Sequence, residues 1–545
     1  MGLPTKNLDD RTFQDIVNEA KKRIAAACPE WTDHNVSDPG ITLVELFAWM
    51  TEMMLYRINQ VPDKNYIKLM ELIGLRLKAP QAARVPVTFY LAAPQPQAIT
   101  IPAGTEVATV RTETRPSIVF STDQPLEIHP PQLTALVSRV ISAKDPGQAR
   151  HRAYNLKQLG VAGFELSAFG DPPHIGDALF FGFKNDLSHH LLGLKMECVT
   201  ATGMGIDTRN PPWQWECWAG DEKGEWAPVV VERDETGGLN QSGLILLRLP
   251  RMARRDFRQQ RAYWLRCRVV DSPDGRNYDR SPHITNVEAQ SWGGTVWSTH
   301  ATTVNKEPLG RSDGSPGQVF QLEHTPVLPR REGETVEVWD ADSESWEAWQ
   351  EVEDFSASSG EDRHFTLDPI SGEVRFGPAI RQPDGTVRSY GAIPPRGAEM
   401  RFSAYRYGGG VEGNLQAHTL TVIKSGIPYL DRVDNPQEAR GGLDAESIEA
   451  AQMRAPRLLR TRGRAVTPED YETLALEADP RVARARCIQP PAAGAEKGPL
   501  AAHIYLLLVP RVHQARGPLA PEQLEVDKDL QSAVGRYLER YRLLT

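Results

Sequence analysis

SDPGITLVELFAWMTEMMLYRINQVPDKNYIKLMELIGLRLKAP occupies residues 37 to 80. Asp38 is placed to cap a helix start with its carboxylate. Pro39 suits the first helical position, where a missing N–H removes no hydrogen bond. Leu43, Leu46, Phe47, Met50, Met54 and Ile58 then recur at helical spacing. Ile41, Val44, Ala48 and Leu55 make most of the remaining circumference apolar, and Glu45, Glu52 and Asn59 leave one narrow polar stripe. A helix this apolar all round is expected to be buried on several sides. A length of about 20 residues suffices to cross a bilayer, but Glu45, Glu52 and Arg57 argue against lipid, where charge is costly. The chain offers little nearby helix to cover it, so the cover is expected from another chain. The competing account makes it the core of its own N-terminal domain.

Upstream, residues 10 to 28 read as a first helix, with Phe13, Ile16, Val17, Ala20, Ile24 and Ala27 on one stripe and Pro29 as its stop. Downstream of Pro62, Tyr66, Leu69, Met70 and Ile73 carry a third helix to Gly74. The run DPGITLVELFAWMTEMMLYRINQVPDKNYIKLMELIG resembles the signature of the baseplate assembly proteins of contractile injection systems. Those are relatives of the wedge protein of T-even phage baseplates and of the baseplate J-like family.

The chain has 545 residues, 40% hydrophobic and 24% charged, which is ordinary for a protein of several globular domains. A net charge of −9 disfavours nonspecific nucleic-acid binding. Five scattered cysteines, Cys28, Cys198, Cys217, Cys267 and Cys487, show no metal-type spacing and no disulfide framework, so a reducing compartment is expected. MGLPTKNLDD has no apolar signal core, and no other stretch reads as a membrane span.

The expected architecture is multidomain α+β: an N-terminal helical bundle segment, a β-rich, sandwich-like middle and a C-terminal α/β region. The helical segment covers 1–80. From Val85 the period changes to two, giving a small β domain over 81–148. ALFFGF, LGLKMECVT, WQWECWA, APVVVER, GLILLRL and YWLRCRVV place a β-sandwich-like insertion at 149–304. A Gly-, Ser- and Pro-rich linker at Asn305 to Gln318 opens a β-rich domain over 305–430, in which Pro369 to Gly372 turn a hairpin. The α/β domain covers 431–545. One of its helices starts at Thr467, with Asp470 as capping partner, and another carries Leu524, Leu530, Val534 and Leu538. The run NP…GG.D.E…RAP.LLRT.GRAVT..DYE is similar to the baseplate J-like domain. Members of that family usually continue past the point where this chain stops, so a shortened end is expected.

Candidate chemistry is sparse. Gly310-Arg311-Ser312-Asp313-Gly314 fits G-x-S-x-G, but Pro308 precedes it and Ser315-Pro316-Gly317 follows, whereas a nucleophile elbow needs a strand before and a helix after. Asp340, Asp342, Glu344 and Glu351 approach calcium-loop spacing, but Ser345 stands where the loop needs glycine. Gly408 to Gly413 lacks the lysine and hydroxyl of a phosphate loop and reads as a turn with positive φ. His189-His190 reads as a surface pair without a third ligand. Arg251, Arg254, Arg255, Arg258 and Arg261 form a basic cluster that reads as a loop, solvated or facing an acidic partner; the alternative is nucleic acid, which no aromatic interleaving supports. Ten of twelve tryptophans lie between Trp213 and Trp349. They read as sandwich core, the alternative being sugar-binding platforms.

The resemblance implies a structural subunit, not an enzyme, with no cofactor and no metal. It implies a baseplate wedge component of a phage-tail-like particle, assembled in the bacterial cytoplasm. Its implied partners are related wedge chains, a sheath-proximal small baseplate protein, a spike hub and neighbouring wedges in a six-fold ring, with no nucleic acid and no membrane span. The inter-chain helix contact is assigned to Leu43, Leu46, Phe47, Met50, Met54 and Ile58, and the wedge-to-wedge contact to Arg457, Arg460, Arg462 and Arg464. The alternative function is a carbohydrate-binding tail adhesin built on the Trp-rich β region.

Overall fold

The computed structural model describes residues 9–59, 67, 69, 70, 72, 74–113, 116–142, 145–199, 205–220, 225–272, 275–488, 504–512, 521–526 and 528–543. Mostly β-sheet with five helices among these residues, the chain divides into two compact units, one formed by 1–80 with 443–545 and the other by 81–442.

The first unit holds all five helices: α1 (Phe13–Ala27), α2 (Pro39–Asn59), α3 (Ile448–Thr461), α4 (Pro468–Ala478) and α5 (Lys528–Glu539). Thr12 and Asp15 form a capping box at α1, as Thr467 and Asp470 do at α4. Ile67, Leu69, Met70 and Leu72 are helical, and Gly74 ends that turn at φ 80 with Leu75 N–H donating to Met70 C=O at 2.8 Å. Tyr66 and Ile73, expected on the third helix, lie outside the described residues. Met70 and Leu75 pack with Ala451 and Ala455 of α3, so segments about 380 positions apart share one small core. Val482–Ile488 and Tyr505–Pro510 pair antiparallel, with Leu506 and Leu508 turned toward Ala475, Leu530 and Val534. The last helix differs from expectation. It begins at Lys528, and Leu524 sits in a separate 3-10 turn, 40% exposed.

In the second unit a ten-stranded and a seven-stranded sheet face each other over one core, with Leu192, Leu194, Ile245 and Leu247 from the first and Phe181, Trp215 and Leu265 from the second. The 17-residue strand His283–Thr299 ties two cores together. Its first half pairs with His190–Cys198, and its second half with Arg84–Leu91. Domain bounds drawn along the sequence cut across this arrangement. Leu133–Ser142, expected in the small β domain, pairs into the sandwich with Ala178–Phe183. Leu430–Asp434, expected to open the C-terminal domain, pairs with Arg84–Leu91. Sheet pairing is non-local, so period-two segments do not announce their partners.

A third core lies between two four-stranded sheets, around Phe365, Phe376, Phe402 and Tyr405. Here the expected linker from Asn305 is a correction. Ala301–Arg311 is a strand paired with Glu399–Gly408. Pro308 is tolerated because the register shifts between Pro308 and Gly310. Gly408, Gly409 and Gly410 all have positive φ. A Cβ on Gly409 would lie 3.2 Å from the Gln81 carbonyl, which accepts the Gly410 N–H.

Candidate assembly surface

The site is built on α2. Asp38 Oδ1 accepts the Ile41 N–H at 3.0 Å and caps the helix. Gly40 lets the Trp31 ring lie against this first turn; a Cβ there would meet the ring at 2.3 Å. Ile41 and Ala48 are buried, and Val44, Glu45, Glu52, Leu55 and Asn59 are half-buried along the same face. That face packs toward α1, which presents Phe13, Ile16, Val17, Ala20 and Ile24. Glu52 Oε1 accepts the Phe13 N–H at 2.8 Å. Asn59 accepts from Asp9 N–H at 3.2 Å and donates to Asp9 C=O at 2.7 Å. The polar stripe is therefore the intramolecular face: Glu52 satisfies the first-turn amide of Phe13, and Asn59 holds the backbone of Asp9 just before the α1 cap.

The apolar circumference points the other way. Leu43, Leu46, Phe47, Met50, Met54 and Ile58 are all exposed, with Phe47 at 65% and Met54 at 58%. The competing account, a helix sheltered as the core of its own N-terminal domain, is thus corrected: among the described residues one face is covered and the rest is open. Trp49, Met53 and Tyr56 belong to the same exposed surface and were missed by the sequence reading. Their steps of four and three residues were the available signal. A contiguous exposed surface of nine large apolar side chains is far from the scattered exposure usual on monomers. No helix among the described residues is long and apolar enough to cross a membrane.

The arginines of α3 divide in two. Arg454 is held between Glu446 and Glu477, both at 2.7 Å, and also donates to Arg76 C=O at 2.7 Å. Arg457, Arg460, Arg462 and Arg464 are exposed, and none makes an ion pair among the described residues. Met453, Leu459 and Val466 are exposed beside them. Arg462 turns the helix end with φ 52.

The remaining candidates find structural roles. Ser312 is buried; its hydroxyl donates to Pro394 C=O at 2.8 Å and accepts from Gly314 N–H and Gln318 Nε2, both at 3.0 Å. Asp340 and Asp342 sit at a hairpin turn between Val336–Asp340 and Ser345–Ala348, and no metal-holding group of His, Cys, Asp or Glu occurs among the described residues. The His189-His190 expectation is corrected for one member. His189 is exposed, but His190 is buried; its Nε2 accepts the His129 N–H at 2.9 Å, and its Nδ1 lies 3.0 Å from Ser188 C=O. Burial lowers the pKa of His190. Burial raises the thiols of Cys198 and Cys217 to about 12, so neither is a ready nucleophile. Arg254 and Arg255 lie on a hairpin, Arg254–Phe257 with Gln260–Val269, not on a loop. Of the ten clustered tryptophans, Trp297 alone is exposed, at 50%. Guanidinium groups cover the rings of Trp218 (Arg255, 3.9 Å), Trp226 (Arg266, 4.0 Å) and Trp346 (Arg401, 3.8 Å).

No protein-family model matches the chain. No curated protein matches it either. Among solved structures it is similar to a chain of the anti-feeding prophage baseplate, at 12% identity and TM-score 0.35, over 99% of this chain and 78% of that one. It is also similar to a chain of the type VI secretion system TssK-TssF-TssG baseplate subcomplex, at 10% identity and TM-score 0.34, over 86% and 87%. A third likeness is to the type VI secretion baseplate complex, at 13% identity and TM-score 0.20, over 80% and 75%.

Proposed function

We propose that this chain is a non-enzymatic baseplate subunit of a contractile injection system, acting as a wedge component. The observation that carries the reading is the open face of α2, on a helix whose own fold covers only the opposite side. The resemblance of residues 38–74 to the baseplate signature supports it. Related wedge chains supply the cover by packing their helices against Leu43, Leu46, Phe47, Met50, Met54 and Ile58. The exposed arginines of α3 contact neighbouring wedges, and the small baseplate protein near the sheath and the spike hub complete the set of partners. The adhesin alternative is weakened because nine of the ten clustered tryptophans are buried or half-buried, and guanidinium groups cover the rings of Trp218, Trp226 and Trp346. The test is photo-crosslinking from a residue analogue placed at Met50 or Met54 in cells that produce the particle. Capture of another baseplate chain is expected from both positions. Crosslinks confined to this chain would overturn the proposal.

A further inference from the structure

The outer face of the seven-stranded sheet is unusual for a protein of net charge −9. Ala135, Val137, Phe180 and Trp264 form a second, shallow core there, bordered by Trp218, Trp226 and Phe257. Strand alternation places Arg139, Arg255, Arg266 and Arg268 on this face, together with His151, whose Nδ1 lies 3.0 Å from Arg258 Nη2. Among the described residues, Glu216 is the one carboxylate at the strand positions sharing the face. It is already taken by Arg266 at 2.7 Å and Arg268 at 3.1 Å. Arg139 has no anion: its Nε is buried without a hydrogen-bond partner among the described residues. With Glu216 shared by two guanidinium groups and Arg139 without an ion pair among the described residues, the face keeps a surplus of positive charge that the isolated chain does not neutralise.

The same unit carries the complement. Residues 301–400 hold 19 acidic side chains against 9 basic ones. Asp342, Glu344 and Glu361 are exposed, and no ion pair or carboxylate hydrogen bond engages them among the described residues. They lie at one end of the third core, where Arg363 reaches back from beside Glu361 to Glu347 of the hairpin at 2.7 Å. We propose that the arginine face around Arg139 and Arg258 docks the Asp342–Glu344–Glu361 end of a second copy of this chain. The two surfaces differ, so the contact is head to tail, which closes into a ring or extends as a filament. A carboxylate surface fits better than nucleic acid. Guanidinium forks match carboxylate and phosphate alike, but the rings that would stack bases already carry arginines, and the exposed carboxylates are supplied by the chain itself.

The experiment is sedimentation of the full chain over a concentration series at low (about 50 mM) and high (about 500 mM) salt, with the variants Arg258→Glu and Glu344→Arg. Self-association that weakens with salt is expected, about tenfold weaker in each variant, and restored to within about threefold when the two reversals are combined in one chain. Salt-independent association in all variants, or loss without restoration in the combined chain, would overturn the proposal. So would Arg258-dependent binding of a DNA oligonucleotide without self-association. Association through α2 is apolar and does not weaken with salt, and contacts through the α3 arginines are untouched by Arg258→Glu and Glu344→Arg, so that reading and this one fail separately.

Discussion

Replacing Phe47 and Met54 together by serine separates assembly from folding. In the isolated chain these side chains are 65% and 58% exposed, so most of their apolar surface is still in water. Complete burial of such a side chain is worth about 1.5–3 kcal/mol. Scaled by the exposed fraction, each contributes about 1–2 kcal/mol on covering, and the pair about 2–4 kcal/mol. That corresponds to about a 30- to 900-fold loss of partner affinity. The monomer loses little, because exposed positions away from caps and cores change stability by about 0.5 kcal/mol or less. The assay has two arms: urea denaturation of the purified chain, and recovery of the chain in assembled particles. The expected result is an unchanged denaturation midpoint with a collapse in recovery. An equal fall in both arms would refute the reasoning, since it would mean that the face belongs to the chain's own core.

Three further outcomes follow from the same geometry. Gly40→Ala forces a methyl group to within 2.3 Å of the Trp31 ring and should destabilise the start of α2 by about 1–3 kcal/mol, read by denaturation. Arg454→Ala leaves Glu446 and Glu477 without their shared partner, at side-chain exposures of 11% and 15%, and should cost about 3 kcal/mol, whereas Arg457→Ala should leave the midpoint unchanged. His190 has a pKa lowered by burial, with His129 and His189 opposing its charge and Asp186 favouring it. Its contribution is therefore fully present above the unfolded value of about 6.5 and is lost as pH falls below it, by up to about 1.4 kcal/mol per pH unit. Denaturation at a series of pH values should show that slope, and His190→Gln should flatten it.

Local chemistry was legible where it acts on neighbours in the chain. The caps at Asp38 and Thr467, the α1 stripe, the Pro369–Gly372 turn and the positive-φ glycines at 408–410 all depend on residues within a few positions of one another. Ser312 is a mixed case: a strand, Ala301–Arg311, does run into it although its flanks read as linker, but a turn and no helix follows, and its hydroxyl is tied to Pro394 C=O. The errors came where partners are distant. The run from Asn305 reads as linker because Pro308 and the glycines break the local pattern, and only pairing with Glu399–Gly408 makes it a strand. His190 looks like a surface residue until the His129 amide, 61 positions away, is brought against its ring.

The amino-acid order alone determined that residues 39–59 form a helix with more apolar surface than a soluble chain normally shows, because propensity, capping and periodicity are local properties. It could not determine which side faces inward. Tertiary structure decided that: Glu52 accepts the first-turn amide of Phe13, Asn59 ties down the backbone of Asp9 ahead of α1, and the greasy side is left outward.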